Sequence, residues 1–191
     1  IKGRTFPNPP VVSLIVETSK EGLNSRIISF GVTSVGGRPH AEAIALKNFE
    51  RKPNKSYILY STLEPCCHKG RGRPCSEKIL KSKIDRVVFS LLDPDKRMRG
   101  NGMKVLKENG LKVRFGLMEK EVYEIYKGYF LNRIKSRPMV SVKLATSLDG
   151  KIAIRKNSFT QITKKDTQKY LHILRSEYDA ILVGSNTVKI D

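Results

Sequence analysis

The chain has 191 residues, 39% hydrophobic and 29% charged, which suits a soluble globular protein of one large domain, or of one compact domain and part of a second. Its longest apolar stretch, in residues 11–16 (VVSLIV), falls far short of a membrane span, and no basic-then-apolar leader opens the sequence, so nothing here reads as a membrane or secretory segment. The formal charge is +19, from 37 Lys and Arg against 18 Asp and Glu, yet the basic residues are spread along the whole chain and aromatics make up only 7%. A single-strand nucleic-acid binder interleaves aromatics with its charge, so a solvated basic surface is the better reading, with attraction for a phosphorylated small molecule between the two.

The predicted elements alternate. After the turn segment Pro7-Asn8-Pro9-Pro10, residues 11–16 read as a buried strand and residues 26–32 (RIISFGV) as its partner, joined through a turn near Glu21-Gly22. A glycine-rich loop (residues 35–39) leads to a helix over 40–49, where Ala41, Ile44, Ala45 and Phe49 share one face. Residues 56–61 (SYILYS) form a strand, residues 63–74 a loop rich in Cys, Gly and Pro, and residues 75–82 a second helix with Ile79 and Leu80 inward. A strand over 86–91, a helix over 103–109 stopped by Gly110, a strand over 111–115 and a long helix over 119–134 follow. Strand alternating with helix predicts an α/β sheet covered by helices on both faces. Residues 133–138 (RIKSRP) read as a linker, beyond which residues 139–146 predict a strand, 164–177 a helix and 180–184 another strand. Three elements are too few for a closed core, so this second unit is expected to be incomplete. The first residue is Ile1 rather than Met, and the natural start is expected upstream.

Three cysteines, two of them adjacent (Cys66, Cys67), do not make a disulfide framework and fit metal-ligating thiols in a reducing cytoplasm. Zinc bound for hydrolysis needs three protein ligands and one open position for water. His40, Cys66 and Cys75 are the candidates, and Glu42, two residues after His40, supplies a carboxylate beside the metal. His-x-Glu followed by Pro-Cys and a later Cys is the zinc-deaminase arrangement. Here eight residues separate Cys66 from Cys75 instead of the usual two, so the loop is expanded. Zinc lowers the pKa of its water to around 7, and Glu42 is expected to take that proton and return it to departing ammonia. A closed structural site, using Cys67 or His68 as a fourth ligand, is the alternative; adjacent cysteines serve one metal poorly, and that reading leaves Glu42 without a role.

The strings GRPHAE (residues 37–42) and TLEPCCHKGRGRPC (residues 62–75) resemble the bifunctional riboflavin-biosynthesis deaminase–reductases, in which the expanded cysteine loop is typical. GRTFPNP (residues 3–9), DPDKRMRGNGMKVLKENG (residues 93–110), VKLATSLDGKIA (residues 142–153) and DAILVGSNTV (residues 179–188) extend the resemblance over nearly the whole chain. It implies a three-layer α/β/α cytidine-deaminase-like domain over residues 1–134, without its N-terminal helix, followed at residues 138–191 by the truncated start of a dihydrofolate-reductase-like α/β domain. It implies zinc on His40, Cys66 and Cys75, with Glu42 as the proton shuttle. Asn8 matches an asparagine that binds the pyrimidine, and Arg71 a basic residue facing the substrate phosphate, with His68 in the same loop. In the second unit Lys143 and Arg175 match substrate-contacting positions, and Ala145, Thr187 and Asp191 positions around NADPH. Val12, Thr33, Phe159 and Gln161 depart from the family pattern, where glycine, histidine, serine and tryptophan are usual. Substrate contacts are expected to differ there.

The reading is a cytoplasmic zinc-dependent aminohydrolase of a phosphoribosylated diaminopyrimidinone, fused to the beginning of an NADPH-dependent reductase. Its partner is a small phosphorylated pyrimidine, with neither membrane nor nucleic acid, and self-association into a homo-oligomer is compatible with it. Two rivals are weighed: a tRNA-type adenosine or cytidine deaminase on the same fold, favoured by the +19 charge, and a non-enzymatic zinc-stabilised binding module.

Overall fold

The computed structural model describes residues 1–19, 24–70, 72–155, 158 and 160–190. Among these, the chain forms strands β1 (Val12–Ser19), β2 (Ser25–Val32), β3 (Lys55–Leu63), β4 (Arg86–Leu91) and β5 (Lys112–Phe115). The helices are α1 (Ala41–Lys47), α2 (Cys75–Lys81), α3 (Asn101–Glu108), α4 (Glu119–Lys135), α5 (Lys165–Arg175) and α6 (Ser185–Ile190). The Glu21-Gly22 turn lies outside the described residues.

The five strands make one sheet in the order β2-β1-β3-β4-β5. β1 runs antiparallel to both β2 and β3, while β3, β4 and β5 are parallel, with α2 and α3 as their crossovers. The pleat of β3 sets which of its side chains are covered. Tyr57, Leu59, Ser61 and Leu63 of β3 are buried, and the residues between them half-buried. On the covered face α1, α2 and α3 bring Ala45, Ile79 and Leu106 against Ile15, Leu59, Val87 and Phe89. Each large apolar side chain removed from water there contributes roughly 1.5–3 kcal/mol. A second cluster joins Val122 and Tyr126 of α4 to Val11, Ala41, Leu63 and Leu91, at the carboxyl ends of β3 and β4. α4 therefore packs where the parallel strands end, the end at which loops of an α/β sheet carry chemistry.

α4 runs on to Lys135 and stops at Ser136, whose φ of 51° is left-handed. The first residues of the expected linker are thus helical. The chain divides into two compact units, one essentially residues 3–139 and the other 140–191. In the second unit α5 matches the expected helix, but the strands expected over residues 139–146 and 180–184 do not form: the described backbone there is in no ladder. A strand requires a hydrogen-bonded neighbour, and apolar runs alone cannot provide one. Val142 and Leu182 are accordingly 81% and 99% exposed. α6, which was not anticipated, follows the second of these runs. No helix among the described residues is long and apolar enough to cross a membrane.

Candidate metal centre and active site

Three segments converge at the carboxyl end of β3. His40 stands at the N-cap of α1 with an extended backbone (ψ 156°), so its ring turns back toward the sheet while Glu42 falls in the first helical turn. Cys66 follows β3 across Glu64-Pro65, and Cys75 opens α2 directly after Pro74. The donor atoms of His40, Cys66 and Cys75 all lie within 4.8 Å of one another. His40 Nδ1 is 3.5 Å from Cys66 Sγ and 3.4 Å from Cys75 Sγ. The first turn of α2 grips the Cys66 loop twice: Cys75 N–H donates to Cys66 Sγ at 3.3 Å and Ser76 N–H to the Cys66 carbonyl at 3.0 Å.

The electrostatics of the cluster suit a cation. The hydrogen bond from the Cys75 thiol, helped by His40 and the Cys75 N–H and opposed by burial, holds the Cys66 thiol down at about 4. Its partner Cys75 is pushed well up, first by that same hydrogen bond and then by burial. The hydrogen bond to Cys66 raises the His40 imidazole. Glu42 is 3% exposed, and burial, with the Cys66 thiolate beside it, pushes its carboxyl up to about 7. One imidazole nitrogen and two sulfurs, one of them already favouring the thiolate, form a zinc-type donor set that leaves a fourth position open. A divalent cation at its centre relieves the crowding of negative charge among Cys66, Cys75 and Glu42. The residues present therefore fit zinc. Cys67 and His68 do not join the cluster. Burial raises the Cys67 thiol, and His68 Nδ1 turns to Met98 Sδ at 3.0 Å.

The other expected residues fall in different places. Asn8 adjoins His40, its Nδ2 3.4 Å from His40 Nε2 and donating to the Gly37 carbonyl at 2.8 Å. Gly37 (φ 81°) is needed there, since a Cβ would lie 2.8 Å from Asn8 Nδ2. Arg71 lies outside the described residues. On either side of it Gly70 and Gly72 run beneath the Arg38 guanidinium, whose nitrogens are 3.6 Å from where a Cβ would be at each. Arg38 is a cation near the loop that the motifs did not single out. Thr33 is buried and engages the backbone of Val11, its Oγ1 accepting the Val11 N–H at 3.0 Å. In the second unit Lys143, Arg175 and Thr187 are exposed and Ala145 is half-buried. No side-chain hydrogen bond or ion pair joins any two of them among the described residues. Phe159 and Asp191 lie outside those residues.

A mixed five-stranded sheet with this donor set at the carboxyl end of β3 defines a zinc-binding deaminase region of the cytidine deaminase type. Residues 2–91 match the family described as the cytidine and deoxycytidylate deaminase zinc-binding region, and residues 138–191 the RibD C-terminal domain. Over nearly its whole length the chain is similar to the RibD riboflavin biosynthesis proteins. It is 43% identical over 187 residues to RibD of Aquifex aeolicus, covering 98% of this chain and 51% of that protein. With RibD of Escherichia coli the identity is 37%, over 98% of this chain and 49% of that one. Among solved structures, the diaminohydroxyphosphoribosylaminopyrimidine deaminase/5-amino-6-(5-phosphoribosylamino)uracil reductase of Thermotoga maritima is 36% identical with a TM-score of 0.88, over all of this chain and 53% of that one. The chain spans about half the length of the curated relatives it matches.

Proposed function

We propose that the chain carries the deaminase activity of a riboflavin-biosynthesis enzyme: hydrolytic deamination of 2,5-diamino-6-(5-phosphoribosylamino)pyrimidin-4-one. In this reading the deaminase domain spans residues 1–134, and residues 138–191 open a reductase domain that uses NADPH. The observation that supports it best is the buried Glu42 beside the His40, Cys66 and Cys75 donor set, in a chain whose remainder matches the RibD C-terminal domain.

His40, Cys66 and Cys75 would hold zinc, which would supply the activation of a water molecule for attack on the amino-bearing pyrimidine carbon. Glu42 takes a proton from that water and delivers it to the departing nitrogen, so that water and the amine become a carbonyl and ammonia. Its burial suits this exchange, because desolvation raises the carboxyl above its ordinary range and makes it a better proton acceptor. Asn8, beside His40, orients the pyrimidine. Arg71 and His68 of the expanded loop face the substrate phosphate, where charge-assisted pairs are strong. Lys143 and Arg175 contribute to the reductase substrate site, and Ala145, Thr187 and Asp191 to that for NADPH. The free thiols call for a reducing compartment, and we place the protein in the cytoplasm.

The test is ammonia release from the phosphoribosylated diaminopyrimidinone by zinc-loaded protein. Turnover abolished by Glu42→Gln is the expected result. Zinc uptake with no ammonia released from this substrate overturns the assignment.

A further inference from the structure

Glu64 is a charged residue with no part in the chemistry, yet it is 3% exposed. It immediately precedes the Pro65-Cys66 segment. Its carboxylate is filled by backbone donors from a distant stretch of chain. Oε2 accepts the N–H of Gly100 at 2.9 Å and of Asp93 at 3.2 Å, and Oε1 accepts that of Met103 at 3.0 Å. Gly100 is the N-cap of α3 and Met103 its third helical residue. A glycine N-cap has no side chain to satisfy the free amides of the first turn. Glu64 therefore supplies from outside what a capping side chain supplies from within, and its negative charge lies against the positive end of α3.

The same turn of α3 touches the Cys66 loop at a second point. A Cβ at Gly102 would lie 2.1 Å from the Pro65 carbonyl oxygen and 3.1 Å from Glu64 Oε1. Only glycine lets the helix approach this closely, and the obstacle is backbone, which does not yield cheaply. Glu64 and Gly102 thus form the two sides of one lock. On the opposite side of the loop, Cys75 N–H and Ser76 N–H hold Cys66 from α2. Cys66 is consequently suspended between two helix starts.

We propose that Glu64 and Gly102 are positioning residues that use the N-terminal turn of α3 to hold Cys66 in place as a zinc ligand. This rests on the metal reading given above. It reaches beyond it, because it assigns the alignment of the site to a helix that contributes no ligand. Partners of this kind, behind the ligands, change metal affinity by roughly 10–100-fold when removed.

The experiment compares the parent chain with Glu64→Gln and, separately, Gly102→Ala. Zinc affinity is measured by competition with a chromophoric chelator, and cobalt(II) uptake is followed by its thiolate charge-transfer absorption. Folding of each metal-free protein is followed by circular dichroism and thermal unfolding. Glu64→Gln keeps the side-chain volume but turns donors toward donors. The expected result is a folded variant that binds zinc roughly 10–100-fold more weakly than the parent, with an altered cobalt spectrum. Gly102→Ala keeps the carboxylate and forces α3 off Pro65, so it weakens zinc in the same direction and decides the matter if Glu64→Gln does not fold. Lower thermal midpoints with zinc affinity within twofold of the parent overturn the proposal, leaving Glu64 and Gly102 as supports of α3 alone. A parent that takes up no zinc overturns both this inference and the metal reading; a parent that binds zinc tightly beside unaffected variants overturns only the inference.

Discussion

Tyr126 Oη lies 2.6 Å from Thr62 Oγ1 and 3.0 Å from the Pro10 carbonyl, so one hydroxyl of α4 ties together the end of β3 and the approach to β1. The proton order follows from the acceptors. Tyr126 donates to the carbonyl, and Thr62 donates to Tyr126 while its Oγ1 accepts the Val12 N–H at 3.1 Å. Burial raises the Tyr126 phenol above its ordinary range, so it stays protonated and able to donate. Tyr126→Phe removes the donor to the Pro10 carbonyl and the acceptor for the Thr62 hydroxyl proton. The expected loss is about 1–3 kcal/mol in urea unfolding, with little change in the slope. An unchanged midpoint contradicts the role given to this hydroxyl.

Removing the metal tests the donor set. Zinc that binds only the folded chain stabilises it by about 2.7 kcal/mol at a free concentration 100 times the Kd. A chelator is therefore expected to lower the thermal midpoint of the parent and of Cys67→Ser, and to leave Cys75→Ser, which holds no zinc, unmoved. Zinc retained by Cys75→Ser but lost from Cys67→Ser requires a different set of ligands.

Glu42→Gln separates chemistry from binding. The carboxamide fits the same buried space beside Cys75 but cannot carry a proton from water to the departing amine. Deamination is expected to fall by roughly 10²–10⁴-fold or more, with zinc content and circular dichroism unchanged. Near-normal ammonia release removes Glu42 from the mechanism.

Much of the sheet was legible because short runs rich in apolar, β-branched and aromatic residues, such as 56–61 and 86–91, stand between loop signals. That His40, Cys66 and Cys75 meet was legible too, since each adjoins the end of a predicted element: two helix starts and the end of a strand. Glu64 escaped notice because its partners are backbone amides 36 and 39 residues further on, which leave no mark on side-chain spacing. His68, expected in the substrate-facing loop, has its Nδ1 3.0 Å from Met98 Sδ, a contact that spacing does not show. The strands expected in residues 139–146 and 180–184 failed for a different reason. An apolar run states what a segment would bury, and only a neighbouring strand makes it part of a sheet.

The charge of +19 leaves a choice of substrate that one assay decides. A nucleic-acid deaminase on this fold binds single strands with an affinity that falls steeply as salt rises, and it deaminates what it binds. The small-molecule enzyme also attracts oligonucleotides through its lysines and arginines, but weakly and without reaction. Several of these cations already serve neighbours: Arg51 pairs with Asp85 at 2.8 Å, Arg26 with Glu17 at 3.0 Å and Arg97 with Asp95 at 2.6 Å. Stacking partners for bases are also sparse, with no tryptophan in the chain. Near the metal centre the cationic residues cluster in the short loop between the two cysteine ligands and in Arg38 beside it, which suits one phosphate better than a strand of them. Offered both substrates at near-physiological salt, the zinc-loaded protein is expected to release ammonia from the phosphoribosylated pyrimidine and none from an oligonucleotide. Ammonia from the oligonucleotide alone reassigns the substrate and leaves the roles of Glu42 and the donor set as they stand.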